Sequence, residues 1–388
     1  SSDVCSSDLR PMIATAMNAA DPVQLFPEMH ELESVVWPGL ALLVFVATAV
    51  VVDLVIVMAA RYSLVDLPNR RSAHALPTAR GGGVAIVLAL IVATIAVALR
   101  WPSMAVPIVL GGLVPSLIIA GVGVMDDMQP LNASLRLLIH IAVAAMITWF
   151  LGPIRSIAIP GLPVWSLGHL AWPITILWIV GLTNAFNFMD GIDGMAALGA
   201  VTVGLSIAVI ALAVWVPPSM VLGAFVAAAA GGFLVFNWQP ARVFMGDVGS
   251  AFLGTFLAAA PLMFPKQLRG VVLVPVVLAL WPYIYDPFVS VLRRAWNGFN
   301  PLEPHREFLF HRLVRTGMPH ATVSLLYGGL SLLGGLLGLL MLIPTASIQA
   351  RAAAPLAVVV MALALTLGVE ARCRRCGLET PRQRGKPA

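Results

Sequence analysis

Leu170–Val214, LAWPITILWIVGLTNAFNFMDGIDGMAALGAVTVGLSIAVIALAV, decides the fold. Two apolar runs, Leu170–Phe186 and Met195–Val214, flank a short polar turn. A helix needs roughly 17–25 mostly apolar residues to cross the ~30 Å hydrocarbon core of a bilayer, and both runs fall in that range. The pattern recurs at Val35–Ala60, Gly83–Leu99, Val106–Val124, Leu137–Leu151, Met220–Phe236, Ser250–Phe264, Gly270–Leu292, Ala321–Ile343 and Ala352–Val369. That makes eleven candidate spans, of which the fourth and eighth are short. Across all 388 residues, 60% are hydrophobic and 11% charged, with a mean hydropathy of +0.94. A soluble domain carries about 25% charged residues, so a water-soluble enzyme is excluded. The expected fold is all-α, a polytopic integral membrane helical bundle of about 11 transmembrane helices. Internal Gly and Pro fit this reading, because neighbouring helices re-satisfy the backbone.

Charge orients the bundle. Of the 23 Lys and Arg, seventeen fall in one alternate set of loops and the tail after the last span. The other side keeps Arg10, Arg100, Arg155, Lys266, Arg269 and Arg351. By the positive-inside rule the first set is cytoplasmic, the N-terminus outside and the C-terminus inside. The net charge of +5 would hint at nucleic acid in a soluble chain; here it follows membrane sidedness, and no nucleic-acid partner is expected. Residues 1–34 are read as an extracytoplasmic segment, 35–371 as a single transmembrane domain and 372–388 as a basic cytoplasmic tail. The opening SSDVCSSDLR is a near-tandem repeat that reads as non-native, with the chain expected to begin at Met12 or Met17 and no cleavable signal peptide evident. Cys373 and Cys376 form one C-x-x-C, short of the four ligands of a structural zinc site, and are read as incidental.

The acids are asymmetric too. Beyond the N-terminal segment none lies in an external loop, whereas Asp66, Asp126, Asp127, Asp190, Asp193, Asp247, Glu303 and Glu307 all fall on the cytoplasmic side. Carboxylates contribute little to topology, so this clustering points to use. Asp126 and Asp127 are adjacent; such a pair persists most readily when a divalent cation or a proton relieves it, with two solvated loop acids as the alternative. In NAFNFMDGIDGMA, Asn184, Asn187, Asp190 and Asp193 recur every third residue, keeping polar groups on a slowly drifting face as a helix ends. In FNWQPARVFMGDVGSAFLG, Asp247 lies just before a helix whose N-terminal N–H groups can receive phosphate, Ser250 is a reasonable cap, and Phe244 offers a face to a flat base. PLEPHREFLFHRLVRTG supplies His305, Arg306, His311 and Arg312; forked Arg donors suit phosphate, though a solvated basic loop beside anionic lipid is the alternative. Arg70, Arg71, His74 and Arg80 precede the triple glycine Gly81–Gly83. Carboxylates, basic groups and glycine turns on one face describe metal-dependent phosphoryl transfer between anionic partners, one soluble and one arriving from the bilayer.

These segments, in this order from Leu64 to Gly317, resemble the polyprenyl-phosphate N-acetylhexosamine-1-phosphate transferases (glycosyl transferase family four), closest to the WbpL/WecA branch. The resemblance implies transfer of a sugar-1-phosphate from a UDP-N-acetylhexosamine (GlcNAc, or FucNAc or QuiNAc) to undecaprenyl phosphate, releasing UMP at the cytoplasmic face of a bacterial inner membrane and initiating O-antigen or another envelope polysaccharide. It implies Mg²⁺, or Mn²⁺, on Asp127 and Asp247, with Asp126 as base or orienting carboxylate. It implies nucleotide binding by Asn187, Asp190 and Asp193, uracil stacking on Phe244, and phosphate or sugar contacts from His305, Arg306 and Arg312. Phe308 stands where members often carry a second histidine, which His311 would replace. The lysine that the MraY branch has before its glycines is absent, leaving Arg80 or His74 and disfavouring the muramoyl-pentapeptide reaction. A secondary transporter is the reading from another class, resting on Asp53 and Asp286 near or within spans. A homodimer is one option that the sequence leaves open.

Overall fold

The computed structural model describes residues 31–61, 65–66, 78–129, 131–300 and 307–378. Within them eleven helices are long and apolar enough to cross a membrane, so the protein is a polytopic helical membrane protein. In chain order they are α1 (Glu31–Arg61), α2 (Gly83–Arg100), α3 (Pro102–Met128), α4 (Ala133–Leu151), α5 (Ala171–Phe188), α6 (Met195–Ala213), α7 (Pro217–Asn237), α8 (Gly246–Ala259) and α9 (Arg269–Trp296), then, after the short helix α10 (Leu309–Arg315), α11 (His320–Leu342) and α12 (Ile348–Arg375). Two small antiparallel pairs complete the described residues: β1 (Val65–Asp66) with β2 (Thr78–Ala79), and β3 (Ser156–Ile157) with β4 (Trp165–Ser166).

Without water between them, membrane helices associate through close packing at small residues. Helix α8 is the enclosed centre, with every residue from Val248 to Ala259 buried. A Cβ on Gly83 of α2 would fall 2.5 Å from the Gly249 backbone, and one on Gly123 of α3 would fall 2.6 Å from the Asp247 carbonyl. Helices α6 and α7 meet in the same way at Gly204 and Gly223. Midway along α3, Pro107–Leu113 is wound as a π-helical segment. It sets Gly111 against Leu151 and Gly112 against the end of the Met263 side chain, each closer than a Cβ could approach without a shift. Helix α1, by contrast, presents Leu42, Leu43, Val46, Val50, Leu54 and Val57 outward, as a lipid-facing helix must.

The two ends of the bundle differ. The acidic motifs gather at the end where α3 finishes and α8 begins. At the opposite end two of the cations that run against the charge rule are buried and spent on helix termini. Arg269 donates to the carbonyls of Phe264 and Leu151, and Arg351 to that of Met341; the last carbonyls of a helix have no intrahelical partner. Two spans exceed their apolar runs: α9 continues to Trp296 and α12 to Arg375, because their polar ends are held by the charge contacts described below. The basic tail therefore begins inside a helix. The suspect segment 1–10 and both proposed start sites lie outside the described residues.

The α3–α8 contact supplies a test. Gly123→Ala should destabilise by about 1–3 kcal/mol, the usual cost of overpacking, read as a lower melting temperature in detergent. Gly121→Ala, with nothing within 4 Å of its Cβ position, should leave it unchanged.

Candidate active site

Gly123 lets α3 lie against the first turn of α8, and one helical turn later come the paired acids. Asp127 accepts the backbone N–H groups of Asp247 and Val248, each at 3.3 Å. Gly246, at φ +72°, opens α8; a Cβ there would be 2.7 Å from Asp127 Oδ2, so both its backbone and its missing side chain are required. The sequence expectation is corrected here: Asp247 lies within the helix rather than before it. The N–H groups expected to receive phosphate are engaged by the protein's own Asp127. Ser250 is not the cap, since its hydroxyl donates to the Gly246 carbonyl at 3.0 Å.

Asp126 faces the other way. It accepts from the Leu131 N–H and from Arg136 Nη1, both at 2.6 Å, and it shares Arg136 with the neighbouring carboxyl of Asp247. Asn132 caps α4 by accepting the Ser134 N–H, which sets Arg136 in the first turn. Arg136 also approaches Asp247 Oδ2 at 3.7 Å, and Arg80 lies 4.0 Å from Asp127 Oδ1. Arg136 belongs to the site and was read from sequence only as a topological charge. Its position one turn into a capped helix following the acid pair was the available signal.

The four polar residues do not share one face, because Asn184 and Asn187 lie in the last turns of α5, whereas the helix stops at Phe188 and Asp190 and Asp193 lie in the turn beyond it. Asn184 donates to the Val180 carbonyl at 2.7 Å and meets His140 Nδ1 at 3.1 Å. Asp193 is also locked in, accepting the Ala241 N–H at 3.2 Å and lying 3.4 Å from His320 Nδ1. Asn187 and Asp190 are half-buried. Burial, and then the nearby charges of Asp247, Asp127 and Asp193, push the Asp190 carboxyl up to about 7. Surplus negative charge is thus the electrostatic character of the site.

The segment after α7 pairs with the entrance to α2: Phe244 N–H donates to Ala79, Gly82 N–H to Phe244, and Gly83 N–H to Met245. This brings Arg80 to Asp127 and leaves Phe244 half-buried. On the far side, the expected basic loop forms a short helix, α10. His311 lies against Phe310 with ring centroids 4.0 Å apart and the rings tilted by 30°, and its Nε2 lies 3.1 Å from where Gly191 would carry a Cβ. Arg312, expected on phosphate, is buried and makes a bidentate ion pair with Glu370 of α12. His74, His305 and Arg306 lie outside the described residues. Asp53, on which the transporter reading partly rests, is exposed and lies 3.8 Å from Arg242. Cys373 and Cys376 are free thiols. Among the described residues no three His, Cys, Asp or Glu side chains are disposed to hold a metal ion in this arrangement.

The chain matches the family described as Glycosyl transferase family 4 over residues 109–264. It is 34% identical over 267 residues to a protein of Bacillus subtilis named "Probable undecaprenyl-phosphate N-acetylglucosaminyl 1-phosphate transferase", covering 68% of this chain and 73% of that one. It is 29% identical over 304 residues to the decaprenyl-phosphate N-acetylglucosaminephosphotransferase of Mycolicibacterium smegmatis, covering 70% and 73%. A phospho-N-acetylmuramoyl-pentapeptide-transferase of Heliobacterium modesticaldum is 38% identical over 194 residues, 49% of this chain and 58% of that one.

The raised Asp190 carboxyl has a signed consequence. The folded protein keeps a proton that the unfolded chain releases near pH 4, so this contribution to stability is complete below that value and is lost as pH rises through about 7. The melting temperature in detergent without divalent cations should fall between about pH 4 and 7, and Asp190→Asn should flatten that fall. An equal slope in the variant would refute the assignment.

Proposed function

The chain belongs to glycosyl transferase family 4, and from that membership we propose that it transfers an N-acetylhexosamine-1-phosphate from a UDP-sugar to undecaprenyl phosphate, releasing UMP. The observation that carries this reading is the meeting of Asp126, Asp127 and Asp247 at the start of α8 beside Arg136 and Arg80. The N-acetylglucosaminyl relatives cover more of the chain than the muramoyl-pentapeptide one, which favours GlcNAc as the donor sugar over a larger peptide-bearing one. The seventeen-to-six charge bias, sharpened by the burial of Arg269 and Arg351 at the far end, supports an active site on the cytoplasmic face of a bacterial inner membrane. Initiation of O-antigen or another envelope polysaccharide follows as the use of such a product.

The donor set fits Mg²⁺. It is all oxygen, as a hard cation prefers, and its negative charge adds to burial in raising Asp190. Asp127 and Asp247 would hold the ion, which when bound supplies charge neutralisation on the donor diphosphate. The Asp127 hydrogen bonds to α8 are long at 3.3 Å, at the weak edge of the usual range, so its oxygens are readily shared with a cation. Asp126 suits orientation better than proton removal, because the Leu131 N–H and the Arg136 guanidinium each bond one of its oxygens and so stabilise the ionised form. A strong base is unnecessary, since a phosphate monoester is largely dianionic at neutral pH. In a single in-line step, an acceptor phosphate oxygen bonds to the β-phosphorus of the donor. The bond from that phosphorus to the bridging oxygen breaks, and UMP carries the electron pair away. Arg80 and Arg136 are placed to hold phosphate charge during that exchange, while Asn187 and Asp190 face the nucleotide and Phe244 offers its ring to the base.

Purified protein incubated with undecaprenyl phosphate, Mg²⁺ and a panel of UDP-sugars should release UMP and yield a lipid heavier by one sugar-1-phosphate, with UDP-GlcNAc the leading donor. Asp247→Asn should lower turnover by at least on the order of 10²-fold, as loss of an electrostatic stabiliser does, without loss of fold. Near-normal UMP release from that variant would overturn the assignment.

A further inference from the structure

Helices α9 to α12 lie beyond the stretch that the family match covers, which ends at residue 264, yet they hold one wall of the site. Helix α10 has only seven residues, too few to be stable alone in water, so its position must come from what grips it. Two acids do so. Asp286, fully buried in α9, accepts the N–H groups of Leu309 at 2.6 Å and Phe310 at 3.0 Å, the hydroxyl of Tyr327 at 2.6 Å and that of Ser290 at 3.0 Å. Glu370, near the end of the peripheral helix α12, takes both arms of the Arg312 guanidinium and also Arg293 Nη1 at 2.8 Å. Arg293 reaches on to the Glu307 carbonyl at 2.6 Å, and Arg372 Nε donates to Thr316 at 2.7 Å.

The grip has a target. The α10 residues Phe310 and His311 press on Gly191, where a Cβ would come within 2.9 Å of Phe310 and 3.1 Å of His311 Nε2. Gly191 follows Asp190 directly, in the turn between α5 and α6. Displacing α10 therefore displaces both His311 and the backbone that presents Asp190. Removing one member of an ion pair partly withdrawn from water leaves the other charge uncompensated, and bidentate geometry fixes direction as well as distance.

We propose that Glu370 is a positioning residue for donor binding: through Arg312 and Arg293 it holds α10 so that His311 and the Asp190 turn form one wall of the nucleotide-sugar site. This rests on the transfer reaction proposed above for the ligand, but not for the clamp itself. The last helix, which otherwise faces lipid, thereby becomes part of the enzyme's binding geometry.

The test uses full-length protein in nanodiscs, wild type against Glu370→Gln and Glu370→Asp, with two measurements. Amide hydrogen exchange should rise in Glu370→Gln across residues 308–316 and 189–194 and stay unchanged in α2 and α7. In UMP release, Glu370→Gln should raise KM for the UDP-sugar on the order of tenfold or more with a smaller change in kcat, a cost that misplacement of binding groups readily reaches. Glu370→Asp should recover part of both. Should Glu370→Gln melt far below wild type, Arg312→Lys, which keeps the charge and loses the fork, is expected to give the same localised exchange and the same KM shift. Unchanged exchange and unchanged KM would overturn the proposal, as would an effect on kcat alone. If wild type releases no UMP with any donor, the transfer reading falls, and the exchange data still decide whether Glu370 positions α10.

Discussion

The Asp127 carboxylate lies on the first free N–H groups of α8, and the geometry of the acidic end follows from that contact. The N-terminus of a helix carries a partial positive charge and unpaired donors, and burying it in a membrane protein demands an acceptor. Asp127 provides one only because Gly123 and Gly246 remove the side chains that would hold α3 and α8 apart. Once that contact is made, Asp126 is turned toward Leu131 and Arg136, Asp247 is brought against Asp126, and Arg80 is drawn in by the pairing of Phe244 with Ala79 and Gly82. Packing of small residues and pairing of charge are one constraint here.

That constraint explains what was legible beforehand. The spans were readable because bilayer thickness leaves a length signal in composition, and each of the eleven apolar runs overlaps one of the eleven long helices. The acids were readable as a group because their loops alternate to one side. Contacts made across the bundle leave no such trace. Arg136 looked like one more loop charge until the cap at Asn132 placed it beside Asp126 and Asp247. Asn184 and Asp193 fitted a three-residue rhythm, but the rhythm ends with α5, and His140, Ala241 and His320 take their side chains. Arg312 carried the chemistry of a phosphate contact; nothing local revealed that Glu370, near the far end of the chain, would claim it.

The same logic separates the cations of the two ends. At the far end Arg269 and Arg351 are buried and neutralise helix C-termini, where unpaired carbonyls carry partial negative charge. Their role is structural, and counting them as exposed external charges understates the sidedness of the molecule. Within the site, Arg80 and Arg136 meet three carboxylates, those of Asp126, Asp127 and Asp247, so the site itself retains a net demand for positive charge. The proposed anionic donor and acceptor would only increase that demand, which is the physical argument behind the proposed divalent cation.

Asp286 decides between chemistry at the membrane surface and transport through the membrane. An ionisable residue within a span is a functional candidate by default, and this one, with Asp53, was what the transporter reading rested on. Asp53 faces outward beside Arg242, with both side chains more than half exposed. Asp286 accepts four hydrogen bonds, two from the first N–H groups of α10 and two from the hydroxyls of Tyr327 and Ser290. An acid satisfied in that way has no acceptor left for a passing ion, and moving it would release the helix that bears His311. Its burial is the cost of anchoring a seven-residue helix at the membrane surface, where propensity alone could not hold it.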